Sequence, residues 1–399
     1  MGRKPLAVLA AAFLLALAAP CGAVFVASQM DRIDTEGLLD SEYFLDLLSF
    51  TPPQDWERAW SASTGAYLAN GASLDCCSLL LSQRLKLEKR LTPKLTMRFK
   101  FEQADDKERE ETHHWIEAEQ ELGGGFSAVL LGEPAFRKED ADIGLGAAIR
   151  RGGVSAGLRR IFVDWNFNQR GSTSQSYPRL PVTDQLAAAY AFPAGTLSAW
   201  GEVDHLTRRL VPAQNKLFSY RRLAAAAAWT PAEPGLVPSI RYSHEFVRRS
   251  NSFLPDPTLA SIDFAMRRHW ASAIWTLPLS ERDTLETGPA VLSRSGSALT
   301  PSSRSDYGRW ELQPQARWRR RHKPWLVSEL AAFGSGGEDR RFFGGAAPDR
   351  VERVGEAKLG AGLDFVFAAG RIGLNTSWDL DELRGHPWDG GNARLMLFF

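Results

Sequence analysis

RWELQPQARWR, residues 309–319, puts Trp310, Leu312, Pro314, Ala316 and Trp318 on one side of an extended chain and Arg309, Glu311, Gln313, Gln315, Arg317 and Arg319 on the other. Successive side chains of a β-strand point to opposite faces, so this stretch reads as a strand with one apolar and one polar face. The same period recurs elsewhere. Leu95, Met97, Phe99 and Phe101 alternate with Thr96, Arg98, Lys100 and Glu102. Ala357, Leu359, Ala361, Leu363, Phe365 and Phe367 oppose Glu356, Lys358 and Asp364, and Ile372, Leu374, Thr376, Trp378 and Leu380 oppose Gly373, Asn375, Ser377, Asp379 and Asp381. A sheet covering a soluble core gives the same alternation. Its repetition along most of the chain, with no helical stretch to cover the sheets, favours a barrel whose apolar face meets lipid.

Strands are expected near 55–68, 78–91, 94–103, 112–122, 125–133, 141–151, 153–166, 182–192, 195–205, 217–229, 236–248, 261–277, 282–294, 306–320, 323–334, 353–367, 370–381 and 391–399. The count is about 18, with 16 as the alternative because the first strand and the segment around Leu285 are weakly patterned. Short connections at Leu91–Lys94, Leu122–Gly125, Arg151–Gly153, Pro193–Gly195 and Ala368–Gly370 fall after every second strand. The intervening connections, Gln103–Glu111, Asn166–Val182, Arg248–Ile262, Ser295–Asp306 and Gly334–Val351, are longer and polar. Short periplasmic turns and long outer loops are a feature of transmembrane barrels.

The chain ends Ala393-Arg394-Leu395-Met396-Leu397-Phe398-Phe399. This ending resembles the C-terminal strand of bacterial outer-membrane β-barrel (porin-like) proteins. The resemblance implies insertion into the outer membrane of a diderm bacterium, with Phe399, Leu397 and Leu395 in the segment read by the barrel-assembly machinery. It also implies outer-membrane lipid and lipopolysaccharide as surroundings. The expected fold is therefore all-β, a transmembrane antiparallel up-and-down β-barrel.

At the other end, Arg3 and Lys4 precede an apolar run from Leu6 to Ala19. That run is short for a bilayer crossing and suits a signal peptide over residues 1–23. A lipobox ending at Cys21 is the rival reading, and Pro20 before the cysteine departs from it. Residues 24–53 form a periplasmic lead-in or short amphipathic helix, with Leu38, Leu39, Phe44, Leu45, Leu47 and Leu48 among acidic residues before Pro52 and Pro53. The barrel is expected over 54–399.

Mean hydropathy is −0.26, and no stretch beyond the leader approaches the roughly 20 apolar residues of a membrane helix. A barrel reconciles this with lipid, because only every second residue of a strand must be apolar. The net charge of +1, from 48 basic and 47 acidic residues, argues against nucleic acid as a partner. Cys76 and Cys77 are adjacent and build no disulfide framework with Cys21. His113 and His114 adjoin Asp105, Asp106, Glu108, Glu110 and Glu111 without metal-ligand spacing, and read as a solvated loop. No nucleophile elbow, zinc-binding helix motif or phosphate loop is present in a usable context. No metal, cofactor or catalytic residue is expected.

The polar faces supply the candidate pore lining: Arg84, Lys86, Arg98, Lys100, Glu102, Glu117, Glu119, Arg241, Glu245, Arg309, Glu311, Arg317, Glu356, Lys358 and Asp364. Glu88, Glu121, Glu202, Asp204, Arg319 and Arg394 share those faces. Charges of both signs would set up a transverse field across a wet pore, or pair and fill the lumen. The tryptophans Trp60, Trp200, Trp229, Trp270, Trp275, Trp310, Trp318, Trp325 and Trp378 are candidates for interfacial girdles. The expected function is an outer-membrane channel for passive diffusion of small hydrophilic solutes. The alternative is a plugged barrel with a surface-binding or envelope-assembly role. The oligomeric state is open.

Overall fold

The computed structural model describes residues 67–74, 79–105, 110–134, 141–165, 175–253, 262–299, 304–344, 349–367, 370–380 and 388–398. Their strands are β1 (Tyr67–Leu74), β2 (Leu79–Thr92), β3 (Leu95–Asp105), β4 (Glu110–Gly123), β5 (Phe126–Glu133), β6 (Asp142–Arg151), β7 (Val154–Phe162), β8 (Ser176–Arg179), β9 (Val182–Phe192), β10 (Gly195–Val211), β11 (Lys216–Pro231), β12 (Ser239–Phe253), β13 (Ile262–Pro278), β14 (Asp283–Leu299), β15 (Arg304–Lys323), β16 (Leu326–Gly344), β17 (Arg350–Phe367), β18 (Gly370–Asp379) and β19 (Trp388–Phe398). Consecutive strands pair antiparallel, except that β7 pairs directly with β9 and the four-residue β8 lies against the far end of β10. β1 pairs with β2 on one side and with β19 on the other, Tyr67 opposite Phe398 and Leu74 opposite Gly391. The result is an up-and-down ring of 18 strands, closed by that last pairing. Closure matters because an unpaired backbone group in hydrocarbon costs several kcal/mol.

The side chains sort as the alternation predicts. On β15, Leu312 is 47% exposed while its neighbour Gln313 is 1% exposed. Trp310 and Leu312 point out; Glu311 and Gln313 point in. On β18, Ile372, Leu374 and Trp378 are exposed and Ser377 is buried. Apolar groups outside and polar groups inside invert the arrangement of a water-soluble core. This rejects a soluble sandwich and describes a lipid-facing exterior. No helix among the described residues is long and apolar enough to cross a membrane.

Tight turns cluster at one end. Gly152 and Gly153 join β6 to β7 with φ of 59° and 80°, the pair of positive values a two-residue hairpin turn of this hand requires. Arg320, Arg321, His322 and Lys323 run exposed into the turn after β15 at this same end, where Arg321 donates to the Glu281 carbonyl.

Several expectations need correction. The first described strand is Tyr67–Leu74, which meets the expected strand 55–68 only at Tyr67 and Leu68; 55–66 lie outside the described residues. Its Asn70-Gly71-Ala72-Ser73 core is too small and polar to give a period. The weak segment around Leu285 does form β14, which fixes the count at 18 rather than 16. The long loops are shorter than expected, because β10, β12, β14, β16 and β17 continue into them. On β16 and β17 both faces of these extensions are charged: Arg340 bonds Glu338 on one face, and Arg350 bonds Glu352 on the other. Ladder pairing continues while the hydrophobic signal vanishes. Trp200 and Trp270 share parity with inward Glu202 and Arg268 and are no part of an outer girdle. Trp229 does lie outside, its ring 5.2 Å from Phe192, which in turn stacks on Tyr190 at 5.4 Å. The leader, the lead-in helix, Cys21, Cys76, Cys77 and Trp60 lie outside the described residues.

Candidate functional site

Inside the ring the charged residues form three groups. In the first, Arg98 on β3 donates from Nη1 to Glu117 at 2.5 Å and to Glu119 at 2.6 Å, and from Nε to Glu88 at 2.9 Å. Arg159 reaches Glu117 at 2.8 Å from β7, and Arg150 on β6 bonds Glu119. Ser127 on the intervening β5 is small and buried.

The second group centres on Arg222 of β11, which bonds Glu202 at 2.5 Å on β10 and Glu245 at 2.7 Å on β12. Arg268 of β13 pairs with Glu245 at 3.2 Å. Gln185 donates to Glu202, and the Thr183 hydroxyl donates to Asp204 at 2.6 Å.

The third group spans β14 to β18. Arg317 pairs with Glu286 at 3.2 Å and Glu329 at 3.3 Å, Arg319 with Glu329 at 3.0 Å, and Arg371 with Asp364. Glu311 accepts from Arg309 and, at 3.0 Å, from Gln313.

All three groups join neighbouring or near-neighbouring strands. The charges of these three groups therefore pair along the wall. Opposite charges this close cancel at longer range, so the field across the lumen is weaker than an unpaired array would give.

Two apolar clusters also face inward. Val129, Leu131 and Ile161 pack with Trp115 and Val163. Tyr220, Val247 and Met266 pack with Phe218, Phe264 and Tyr307. Both lie toward the long-loop ends of their strands, whereas most ion pairs lie nearer the tight turns. The lumen is thus two-tiered.

Of the predicted lining residues, Arg98, Glu117, Glu119, Arg241, Glu245, Arg309, Glu311, Arg317, Lys358 and Asp364 face inward. The side chains of Arg84, Lys86, Lys100, Glu102 and Glu356 lie outside the described ones, as do those of Glu110, Glu111 and His113 and the whole of Phe399. Leu395 and Leu397 are half-buried on β19, opposite Ile372 and Gly370. Glu121 is exposed at the tight-turn end beside Arg90. Arg150, Arg159, Arg222, Arg268, Glu286, Glu329 and Arg371 complete the networks and were not foreseen. Arg222 precedes the run Ala224–Ala228, where residues too small to mark a face blur the alternation.

On the outside, His205 Nε2 lies 2.8 Å from Asp184, which Arg160 grips through two hydrogen bonds of 2.7 and 2.8 Å. No hydroxyl or thiol meets the other nitrogen of His205 among the described residues. No cluster of potential metal ligands occurs among them either.

A closed barrel with an apolar exterior and a polar interior is the build of an outer-membrane protein, and this chain resides in the outer membrane. No family model and no curated protein matches the sequence. Among solved structures it is similar to a bacterial polysaccharide outer membrane secretin, at 12% identity and a TM-score of 0.39, covering 84% of this chain and 97% of that one. It is similar to OmpT, an outer membrane protein of Vibrio cholerae, at 7% identity and a TM-score of 0.40, covering 84% and 96%. It is also similar to Pseudomonas aeruginosa OccK11, at 9% identity and a TM-score of 0.37, covering 84% and 94%. Identities and scores of this size carry no inference about what this barrel binds or passes.

Proposed function

We propose that the protein is a channel for passive diffusion of small hydrophilic solutes across the outer membrane. The observation that carries this reading is the polar wall inside a ring of 18 strands. A barrel of that size is too wide for wall side chains to meet and fill it, so the polar wall faces water. Solutes passing it meet donors and acceptors of both signs, already mutually compensated, so ion selectivity is modest and passage needs no cofactor and no chemical step. The protein is not an enzyme in this reading, and Leu395, Leu397 and Phe399 present its assembly signal to the barrel-assembly machinery. Single-channel recording of the refolded protein in a planar bilayer tests the proposal. Discrete large steps are expected; silence from folded, heat-modifiable protein would overturn it.

A second reading, a plugged barrel with a binding or assembly role, is favoured by the inward apolar clusters around Val247 and Leu131. Hydrated solutes gain nothing from such surfaces, whereas an inserted segment would pack on them. The same recording separates the two.

A further inference from the structure

On the outside of β10 to β13 the apolar belt stops at one level. Down β11 the outward series is Arg221, Leu223, Ala225, Ala227 and Trp229; on β12 it is Arg248, Phe246, His244, Tyr242 and Ile240. Arg267 on β13 stands opposite Phe246, Arg248 opposite Arg221, and Arg208 is exposed on β10. Inside the wall at this level Tyr220, Val247 and Met266 sit beside the inward Arg222 and Arg268, so cations stand on both faces here. Hydrocarbon therefore cannot cover this level of the exterior, since an outward arginine in the acyl region is costly.

The arginines have a common focus. The Arg221 guanidinium carbon is 5.3 Å from the Phe246 ring centroid, and that of Arg267 is 5.6 Å from the same centroid. Neither has a carboxylate partner among the described residues, unlike Arg248, which donates to Asp263 at 3.0 and 2.5 Å. Two guanidinium groups beside one ring, at the border between apolar belt and water, supply the positive charge and the N–H donors that a phosphate group accepts from.

We propose that Arg221 and Arg267, bracketing Phe246 and flanked by Arg208 and Arg248, bind the phosphate of an outer-leaflet glycolipid whose acyl chains run down the apolar face of β11 and β12. The site rests on outer-membrane insertion with the tight turns toward the periplasm, and it is independent of whether the lumen conducts. An epitope inserted after Asp349 and detected on intact cells checks that orientation separately.

The test uses the full chain in detergent micelles, titrated with bis-phosphorylated lipid A, dephosphorylated lipid A and inorganic phosphate, and read by native mass spectrometry. The phosphorylated lipid should be retained over the dephosphorylated one. Arg221→Gln/Arg267→Gln should weaken retention about 30-fold. Arg90→Gln, at the opposite end, should leave it unchanged. Arg221→Lys/Arg267→Lys keeps the charge, guards against a folding defect and should bind at an intermediate level. Equal retention of dephosphorylated lipid, wild-type retention by the glutamine pair, or an effect of the pair on inorganic phosphate alone would each overturn the proposal.

Discussion

Arg98 and Glu117 stand directly opposite each other on β3 and β4 and are joined inside the barrel by a 2.5 Å bond from Nη1 to Oε1. Glu88 and Glu119 share the same guanidinium. One cation thus compensates three carboxylates, with help from Arg150 and Arg159.

Arg98→Glu should therefore leave a local excess of negative charge. In bilayer recordings of an open channel, the permeability ratio should move toward cations. The chemical-denaturation midpoint should fall with a loss of about 1–3 kcal/mol, the cost of stranding partly buried polar partners. An unchanged ratio in a conducting protein would contradict the assignment of Arg98 to the pore wall.

Leu374, 46% exposed on β18, belongs to the lipid face. Leu374→Arg should destabilise the inserted protein by about 2–4 kcal/mol if the residue sits near mid-membrane. Refolding titrations into lipid vesicles measure this directly.

Tryptophan quenching reads the two faces without perturbing them. In single-tryptophan variants reconstituted with brominated lipid, Trp318 and Trp378 should be quenched strongly and Trp270 weakly. Equal quenching of all three would contradict the assigned parity.

Gly288 on β14 has φ of 158°, and a Cβ there would sit 1.9 Å from the Ala273 carbonyl oxygen. Ladder pairing between β13 and β14 lapses beside it, from Ser272 to Trp275. Gly288→Ala should lower the temperature of the heat-modifiability transition, by about 1–3 kcal/mol of backbone strain.

Much of the barrel was legible in the sequence wherever one face had to be greasy. The segments 309–319 and 372–378 state their parity residue by residue, because lipid accepts only one of the two faces. Legibility failed in three physical situations. Near Tyr67–Leu74 small residues suit either face. At the far ends of β16 and β17 the strands leave the membrane, so charge is tolerated on both faces while the ladder continues. At Arg222 the adjacent alanines hide the period. The lining residues could be read as polar, but their partners could not. Whether Arg98 meets Glu117 depends on strand register, which no local pattern encodes.

The pairing of Tyr67 with Phe398 carries a consequence for timing. Every other seam of the ring joins strands close in sequence and can zip locally, but this one links the two ends of the barrel segment, the slowest kind of encounter for a chain to make. Until it forms, β1 and β19 each present an unsatisfied edge. The weakest-patterned strand of the barrel, Tyr67–Leu74, is thus the one whose docking completes it, and the kinetics of insertion should be governed there rather than in the long, strongly patterned hairpins of β13 to β17.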